Sequence, residues 1–159
     1  MRYKDFEDRI TQMVTAAHSN ARYRFAVETI GRLAGAAQNA VEIELSAFER
    51  ALLEGVAAGV TSRPPDELAT ELNSLNDSMC DDDVRAIEFR PVLTEFLCAL
   101  DSFIRYRQTG DPAYVAAIAV NSVNSIDYQI EDVNYSVENV LGSPLMVAEF
   151  DRQRRLLTA

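Results

Sequence analysis

Residues 112–141 read PAYVAAIAVNSVNSIDYQIEDVNYSVENVL, without a glycine and without a second proline after Pro112. On a helical wheel of about 100° per residue, a set of apolar and small side chains falls within about 60° of Ile126. This set is Val115, Ala119, Ser122, Val123, Ile130, Val133 and Val137. The pattern predicts one continuous helix of about 45 Å, with Gly142 at its C-terminal cap and a break near Asn134 as the alternative.

The rest of the chain shows the same helical spacing, with no convincing alternation of the kind that marks strands. In the first half, helices are predicted over about 3–18, from about Ala21 with a bend or break near 35–39, and from Val41 to Gly59, the last with a restart at Ser46 as the alternative. A short helix is predicted after Pro64 and Pro65. Further helices are predicted over about 83–108, with a kink or restart at Pro91, and from Ser143 and Pro144 onward. The sequence therefore predicts an all-α fold, a single domain over 1–159 built as a bundle of about six or seven helices.

Three local signals fix element ends. Ser46 and Glu49 have the spacing of a capping box, which predicts a helix start at Ser46. Gly110, Asp111 and Pro112 combine a C-terminal glycine, an N-cap and a proline at the first helical position. The polar stretch 76–83 predicts a turn after a short helix that carries Leu68, Leu72 and Leu75.

The charge balance bears on partners and compartment. Fifteen basic against twenty-five acidic residues give a net charge of −10, which disfavours nucleic-acid binding and anionic membrane surfaces. The longest apolar run, 113–120, is too short to cross a bilayer, and the first twenty residues lack a secretory signal. Cys80 and Cys98 lie in unlike settings, and we interpret them as free thiols, Cys98 as a small buried hydrophobe. These features predict a cytoplasmic protein.

Side chains for common catalysis are scarce. The single histidine, His18, has no Cys, Asp or Glu three or four positions away, which indicates a surface or rim position. The Glu-x-x-His pairs of di-metal helical bundles are absent, as are a glycine-rich phosphate loop and a nucleophile elbow. We therefore expect no enzymatic activity, no metal and no cofactor. An enzyme with an unrecognised carboxylate site is the remaining catalytic alternative.

An acidic, tyrosine-bearing face is the candidate functional surface. Arg107 and Arg152 bracket forty-four residues without a lysine or arginine. Opposite the apolar stripe of the predicted long helix lie Asn124, Tyr128, Glu131, Asp132 and Tyr135, with Asn121 beside them. Asp127, in the same acidic stretch, is a further candidate for contact with a basic partner. Tyrosine anchors ringed by carboxylates are typical of protein-binding surfaces and favour a basic partner. The alternative is a solvated face whose tyrosines rest on a neighbouring helix. A second acidic stretch, 66–83, has the charge of a solubilising surface.

A family resemblance adds to this interpretation. The run Phe96-Leu97-Cys98-Ala99-Leu100-Asp101, then Gly110-Asp111-Pro112, the alanine-rich stretch 114–120 and the closing Ser143-Pro144 helix resemble small all-helical bacterial proteins. Some of these form a domain family of unknown function, and others are immunity proteins of polymorphic-toxin systems. The resemblance spans about 24–157 and carries no catalytic signature. It implies stoichiometric occlusion of a cognate toxin domain, often a nuclease with a basic cleft.

Two hypotheses about function follow from the sequence. The first is an immunity protein or antitoxin that neutralises its toxin through the acidic face, with Tyr128 and Tyr135 as anchors. The second is a non-catalytic regulatory or scaffolding subunit whose acidic face confers only solubility. Both leave homo-oligomerisation open and exclude nucleic acid and membrane as partners.

Overall fold

A computed structural model describes residues 1–39, 45–80 and 91–159 of the chain. Within these ranges the secondary structure is helical, apart from an isolated β-bridge between Ser136 and Asn139. The helices are α1 (Tyr3–Ala16), α2 (Ser19–Asn39), α3 (Ala47–Gly59), α4 (Pro65–Cys80), α5 (Pro91–Thr109), α6 (Pro112–Asp127) and α7 (Pro144–Leu157), with a 3₁₀ turn over Val140–Gly142. The predicted all-α, single-domain bundle is confirmed.

The helices share one apolar core. α5 packs along α6, α2 lies against both, and α1 and α7 contact α6 from the N- and C-terminal ends of the chain. α3 and α4 pair with each other, and α4 joins them to α5. The largest fully buried side chains include Phe6, Phe25, Leu100, Phe103 and Ile118. Each such side chain stabilises the fold by about 1.5–3 kcal/mol relative to exposure, so the core alone fixes the packing of the bundle.

The predicted capping box at the start of α3 is present. The hydroxyl of Ser46 accepts a hydrogen bond from the Glu49 amide at 3.1 Å, and Glu49 Oε1 accepts one from the Ser46 amide at 2.9 Å. Two amides without a helical partner are thereby satisfied, and α3 begins at Ala47. Of the two predicted starts, the restart at Ser46 is confirmed, while Val41 lies outside the described residues.

The predicted junction between α5 and α6 is also confirmed. Gly110 has φ +73°, a left-handed conformation that costs glycine little, and it follows the last residue of α5. Asp111 Oδ1 then accepts a hydrogen bond from the Ala113 amide at 2.9 Å, and Pro112 occupies the first position of α6. This turn sets the antiparallel pairing of α5 and α6.

α2 continues through Gly31 and Gly35 and ends at Asn39, the last residue of the range predicted for a bend or break. Its buried side chains, among them Leu33 and Ala37, keep one face against the core. The predicted turn after the short helix is wrong. α4 likewise continues through the predicted polar turn to Cys80, since Met79 is 3% exposed and extends its apolar face. Residues 81–83 of that predicted turn, and 83–90 of the predicted helix that follows, lie outside the described ranges.

The setting of Cys98 also differs from the prediction. Its side chain is exposed on α5, although both neighbours, Leu97 and Ala99, are buried. An apolar run along a helix turns through every direction, so membership in the run does not place a residue on the core side. Cys98 is therefore a free surface thiol and not the buried hydrophobe that the sequence predicted.

Candidate partner-binding site

The predicted long helix over 112–141 is wrong: α6 ends at Asp127. The next twelve residues, 128–139, form turns and irregular backbone before the 3₁₀ turn. Val133 is 95% exposed and Val137 is 66% exposed, so two valines predicted on the core face point to solvent. We refer to these residues as the 128–139 segment.

Local chemistry explains part of the helix end. Asp132 Oδ1 accepts a hydrogen bond from the Asn134 amide at 2.8 Å, which gives the backbone an alternative to the helical bond. Ser136 and Asn139 bond each other through their backbones and close a tight turn. A continued helix would also place the like charges of Asp127 and Glu131 one turn apart, at positions i and i+4, where they repel each other.

Non-local contacts explain the rest. Arg2 precedes α1 and offers no side-chain cap, and the Tyr3 amide instead donates to the Val137 carbonyl at 2.7 Å. The Val140 amide donates to the Met1 carbonyl at 3.0 Å, so the chain on both sides of the turn is tied to the N-terminus. The 128–139 segment therefore leaves the helical path and supplies an acceptor for the Tyr3 amide, the first amide of α1.

Three of the predicted site residues, Asn124, Asp127 and Tyr135, are held by hydrogen bonds to other side chains. The Tyr135 hydroxyl donates to the Asp127 carboxylate, and the Tyr3 hydroxyl donates to Asn124 Oδ1. Asn124 Nδ2 lies 3.5 Å from an oxygen of the buried Glu95, which also accepts from Asn121 Nδ2 at 2.7 Å. Asn124, Asp127 and Tyr135 are half-buried and form the inner layer of the site.

Two phenols, that of Tyr135 and that of Tyr3, which bonds Asn124, resist ionisation. Burial is the main cause that raises the pKa of Tyr3, with the nearby charges of Glu7, Asp127 and Glu95 adding to it. Burial also raises the pKa of Tyr135, followed by its hydrogen bond to Asp127 and the charge of that carboxylate. Both hydroxyls therefore stay protonated donors well above neutral pH, which keeps the loop fastened to α6 and α1.

The exposed residues of the segment combine large apolar side chains with acidic ones. We define the acidic patch as Tyr128, Glu131, Asp132, Val133, Val137 and Glu138, all of which are exposed. Tyr128 is 56% exposed, so much of its ring lies in solvent, and Val133 and Val137 of the same segment are exposed as well. Tyr128, Glu131 and Asp132 thus remain on the surface as predicted, although on irregular backbone instead of a helix. The patch itself contains no basic side chain.

One basic residue does approach the acidic patch. The hydrogen bond and charge of Asp5 raise the pKa of Arg2, and the charge of Glu138 adds to the rise, so that guanidinium is within electrostatic reach of the patch. Arg2 is exposed and bonds Asp5 at 3.2 Å, so its charge is already shared with a carboxylate of α1.

Other sequence features have ordinary surroundings. His18 is exposed between α1 and α2. The second acidic stretch is partly tied down, because Glu67 and Glu71 both bond Arg63 and Asp66 accepts from Gln108. No three His, Cys, Asp or Glu side chains group as a metal site within the described ranges. None of the helices described there is long and apolar enough to span a bilayer.

A buried ionic cluster that the sequence did not predict lies between α2, α6 and α7. Glu149 is 1% exposed, and its two carboxylate oxygens accept five hydrogen bonds. The donors are Arg32, Ser122, Gln153 and, through two nitrogens, Arg152. A usable signal was present: Ser122 interrupts the apolar stripe of α6, and α7 carries Glu149, Arg152 and Gln153 among its apolar positions.

The predicted residues thus form an exposed patch and a half-buried inner layer, and they do not lie along one face of a single long helix. Within the described part of the chain, the Glu149 cluster shares no residue and no hydrogen-bond partner with them. Two of the six predicted residues, Asp127 and Tyr135, are in direct contact. Comparison with known proteins adds no relative: no family model matches this chain, and no curated protein or solved structure is significantly similar to it.

Proposed function

We propose that this protein is a non-catalytic inhibitor of the immunity-protein type, which binds a basic toxin domain stoichiometrically through the acidic patch. The observation that carries the proposal is the exposure of Tyr128, Val133 and Val137 in one short segment whose charged residues are all acidic. An apolar centre bordered by charge is the usual anatomy of a protein interface. The resemblance to immunity proteins and the scarcity of catalytic side chains in the sequence support the same function.

The charge of the patch favours a basic partner. Glu131, Asp132 and Glu138 are the charged residues of the patch, and the whole chain carries a net charge of −10. Complementary fields raise the association rate with a basic surface and disfavour acidic competitors. A nuclease toxin has such a surface, because its cleft must hold phosphates. Occlusion of that cleft requires no chemistry from this chain.

The inner layer supports the patch by limiting its motion. The Tyr135–Asp127 hydrogen bond and the backbone bond from Tyr3 to Val137 fix the segment at two points, and the Tyr3–Asn124 hydrogen bond holds α1 against α6. A surface that is ordered before binding loses less entropy when the partner arrives. Asn124, Asp127 and Tyr135 therefore act as positioning residues, while Tyr128, Glu131 and Asp132 contact the partner.

The test uses the polypeptide encoded by the reading frame adjacent to this gene, purified as a catalytically inactive variant. Calorimetry measures its affinity for the wild-type chain, for Tyr128→Ala and for the pair Glu131→Gln and Asp132→Asn. We expect each change to weaken binding by at least tenfold, about 1.4 kcal/mol. The loss for the charge pair is expected to shrink at high salt, because screening removes its contribution.

A matched charge pair gives the control. Glu54→Gln and Asp77→Asn remove two charges at exposed positions on α3 and α4, outside the patch. They should leave the affinity within about twofold of wild type. Equal losses for the two pairs would indicate a general charge effect and not a docking surface. Wild-type affinity for Tyr128→Ala, with its fold intact, would overturn the patch as the interface and favour the scaffolding alternative.

A further inference from the structure

Three arginines converge on a cavity of about 330 Å³ between α2, α6 and α7. Arg32, Arg152 and Arg155 line it together with one carboxylate, Glu149. The excess of positive charge is unexpected in a chain whose net charge is −10. The remaining wall is largely apolar and includes Ile126, Leu145 and Ala148.

The carboxylate of the cavity is already fully engaged. Each oxygen of Glu149 accepts at least two hydrogen bonds, and the distances lie between 2.7 and 2.9 Å. The hydrogen bonds and charge of Arg152 lower the pKa of Glu149 although burial opposes them, so the carboxylate is ionised at neutral pH. Its single negative charge is shared between Arg32 and Arg152, and its five hydrogen bonds leave no acceptor capacity for Arg155.

Two guanidinium groups therefore keep unused donors. Arg152 is 9% exposed, and its buried Nη1 atom has no hydrogen-bond partner among the residues that the structure describes. Its guanidinium carbon lies 5.6 Å from the centre of the Phe25 ring, which compensates part of the charge but accepts no strong hydrogen bond. Arg155 is exposed and makes neither a hydrogen bond nor an ion pair with the described residues. Buried donors without acceptors cost free energy unless something binds them.

We infer that this cavity binds a small organic oxyanion, a carboxylate or phosphate group attached to an apolar body. The anionic group bonds the exposed Arg155 and the free donors of Arg32, since guanidinium groups match both carboxylate and phosphate oxygens in pairs. The apolar body lies on Ile126, Leu145 and Ala148. The inference does not depend on the proposed docking at the acidic patch, because it involves none of the patch residues.

The experiment titrates the full chain with hexyl phosphate, hexanoate and inorganic phosphate, and follows backbone amide shifts by NMR. We expect the two tailed anions to bind, with the largest shifts at Gln129, Ala148 and Arg155, and to bind at least fivefold more tightly than inorganic phosphate. The ratio between hexyl phosphate and hexanoate identifies the preferred anionic group. Hexylammonium, which has the same tail and the opposite charge, should not bind.

Two variants test the site, and both change exposed side chains, so the fold is expected to persist. Arg155→Gln should weaken the tailed anions about tenfold, and Ala148→Phe should abolish binding by filling the cavity without a change of charge. Arg154→Gln is the control: it removes the same charge from a neighbour that pairs with Asp151 and does not line the cavity.

The outcomes separate a built site from unspecific attraction. A loss for Arg155→Gln and Ala148→Phe, with Arg154→Gln near wild type, supports the inference. Equal losses for the two arginine variants, or full binding by Ala148→Phe, would overturn it. So would the absence of any shift in the wild-type chain at millimolar hexyl phosphate and hexanoate.

Discussion

The hydroxyl of Tyr135 donates a hydrogen bond to the carboxylate of Asp127, the last residue of α6. The two residues are eight positions apart, and in a continuous helix they would lie about 12 Å from each other along the axis. Their contact therefore requires the chain to leave the helix and fold back. The same bond orders the start and the middle of the 128–139 segment.

Removal of this hydroxyl tests how far it stabilises the segment. We expect Tyr135→Phe to lower the free energy of unfolding by about 1 kcal/mol, since a half-buried donor to a carboxylate is lost. Urea denaturation measures the change, and hydrogen exchange should become faster at the amides of the segment. Tyr128→Phe is the control, because the exposed Tyr128 hydroxyl has no such bond. Equal effects of the two changes would contradict the role given to the Asp127 contact.

Alkaline pH should loosen the same region. The raised pKa of Tyr3 and Tyr135 means that the folded state holds these protons more tightly than the unfolded chain does. Their contribution to stability is complete below the pKa of a free tyrosine, about 10, and is lost as the pH rises above it. Stability measured at increasing pH should fall less in a Tyr3→Phe, Tyr135→Phe double variant than in wild type. Parallel curves would show that the two phenols titrate normally.

Gly142 is a second position on which the packing of the 128–139 segment depends. A Cβ atom at this position would collide with the backbone carbonyl of Asn134, so the close approach of the segment requires glycine. We expect Gly142→Ala to cost about 1–3 kcal/mol of unfolding free energy. Gly31→Ala, at a helical site with open space around it, should instead stabilise the protein by about 0.5–1 kcal/mol. Calorimetric melting compares the two, and a stabilising Gly142→Ala would show that the segment does not pack there.

The elements that sequence reasoning predicted are those whose ends depend on near neighbours. The Ser46–Glu49 box and the Gly110-Asp111-Pro112 junction each involve residues within three positions, and both are present as expected. The wheel of the predicted long helix failed for the opposite reason. Its valine spacing is real, but the Tyr3–Val137 backbone bond that competes with the helix joins residues far apart in sequence.

In the candidate site, too, local features were predictable from the sequence and long-range contacts were not. Exposure of Tyr128, Glu131 and Asp132 follows from their polarity and their place after α6, and the structure agrees. The inner bonds of Asn124 and Asp127 involve Tyr3 and Tyr135, which no spacing rule connects to them. The Glu149 cluster was missed because its members come from three helices, and only the odd polar residue on each apolar face marks it.

The carboxylate of Glu149 should be the most sensitive single charge in the described part of the protein. Glu149→Gln leaves Arg152 buried without its anion, and we expect a loss of about 3–5 kcal/mol in unfolding free energy. Glu71→Gln is the control: it also breaks a bidentate arginine pair, but with Arg63 at the surface, where solvent screens the charges and the loss is several times smaller. Similar losses of unfolding free energy for Glu149→Gln and Glu71→Gln would contradict the burial of the Glu149–Arg152 pair.

The pH dependence gives an independent check on that carboxylate. Although burial opposes it, the bonds from Arg152, Gln153 and Ser122 hold the pKa of Glu149 below its ordinary value, so the unfolded chain takes up a proton first as the solution is acidified. The stabilisation is therefore present above the ordinary carboxyl range, about pH 4.3, and is lost as the pH falls through the folded-state pKa. Denaturation between neutral and acidic pH should show a steeper fall for wild type than for Glu149→Gln. Two curves of equal slope would mean that Glu149 titrates as it does in the unfolded chain.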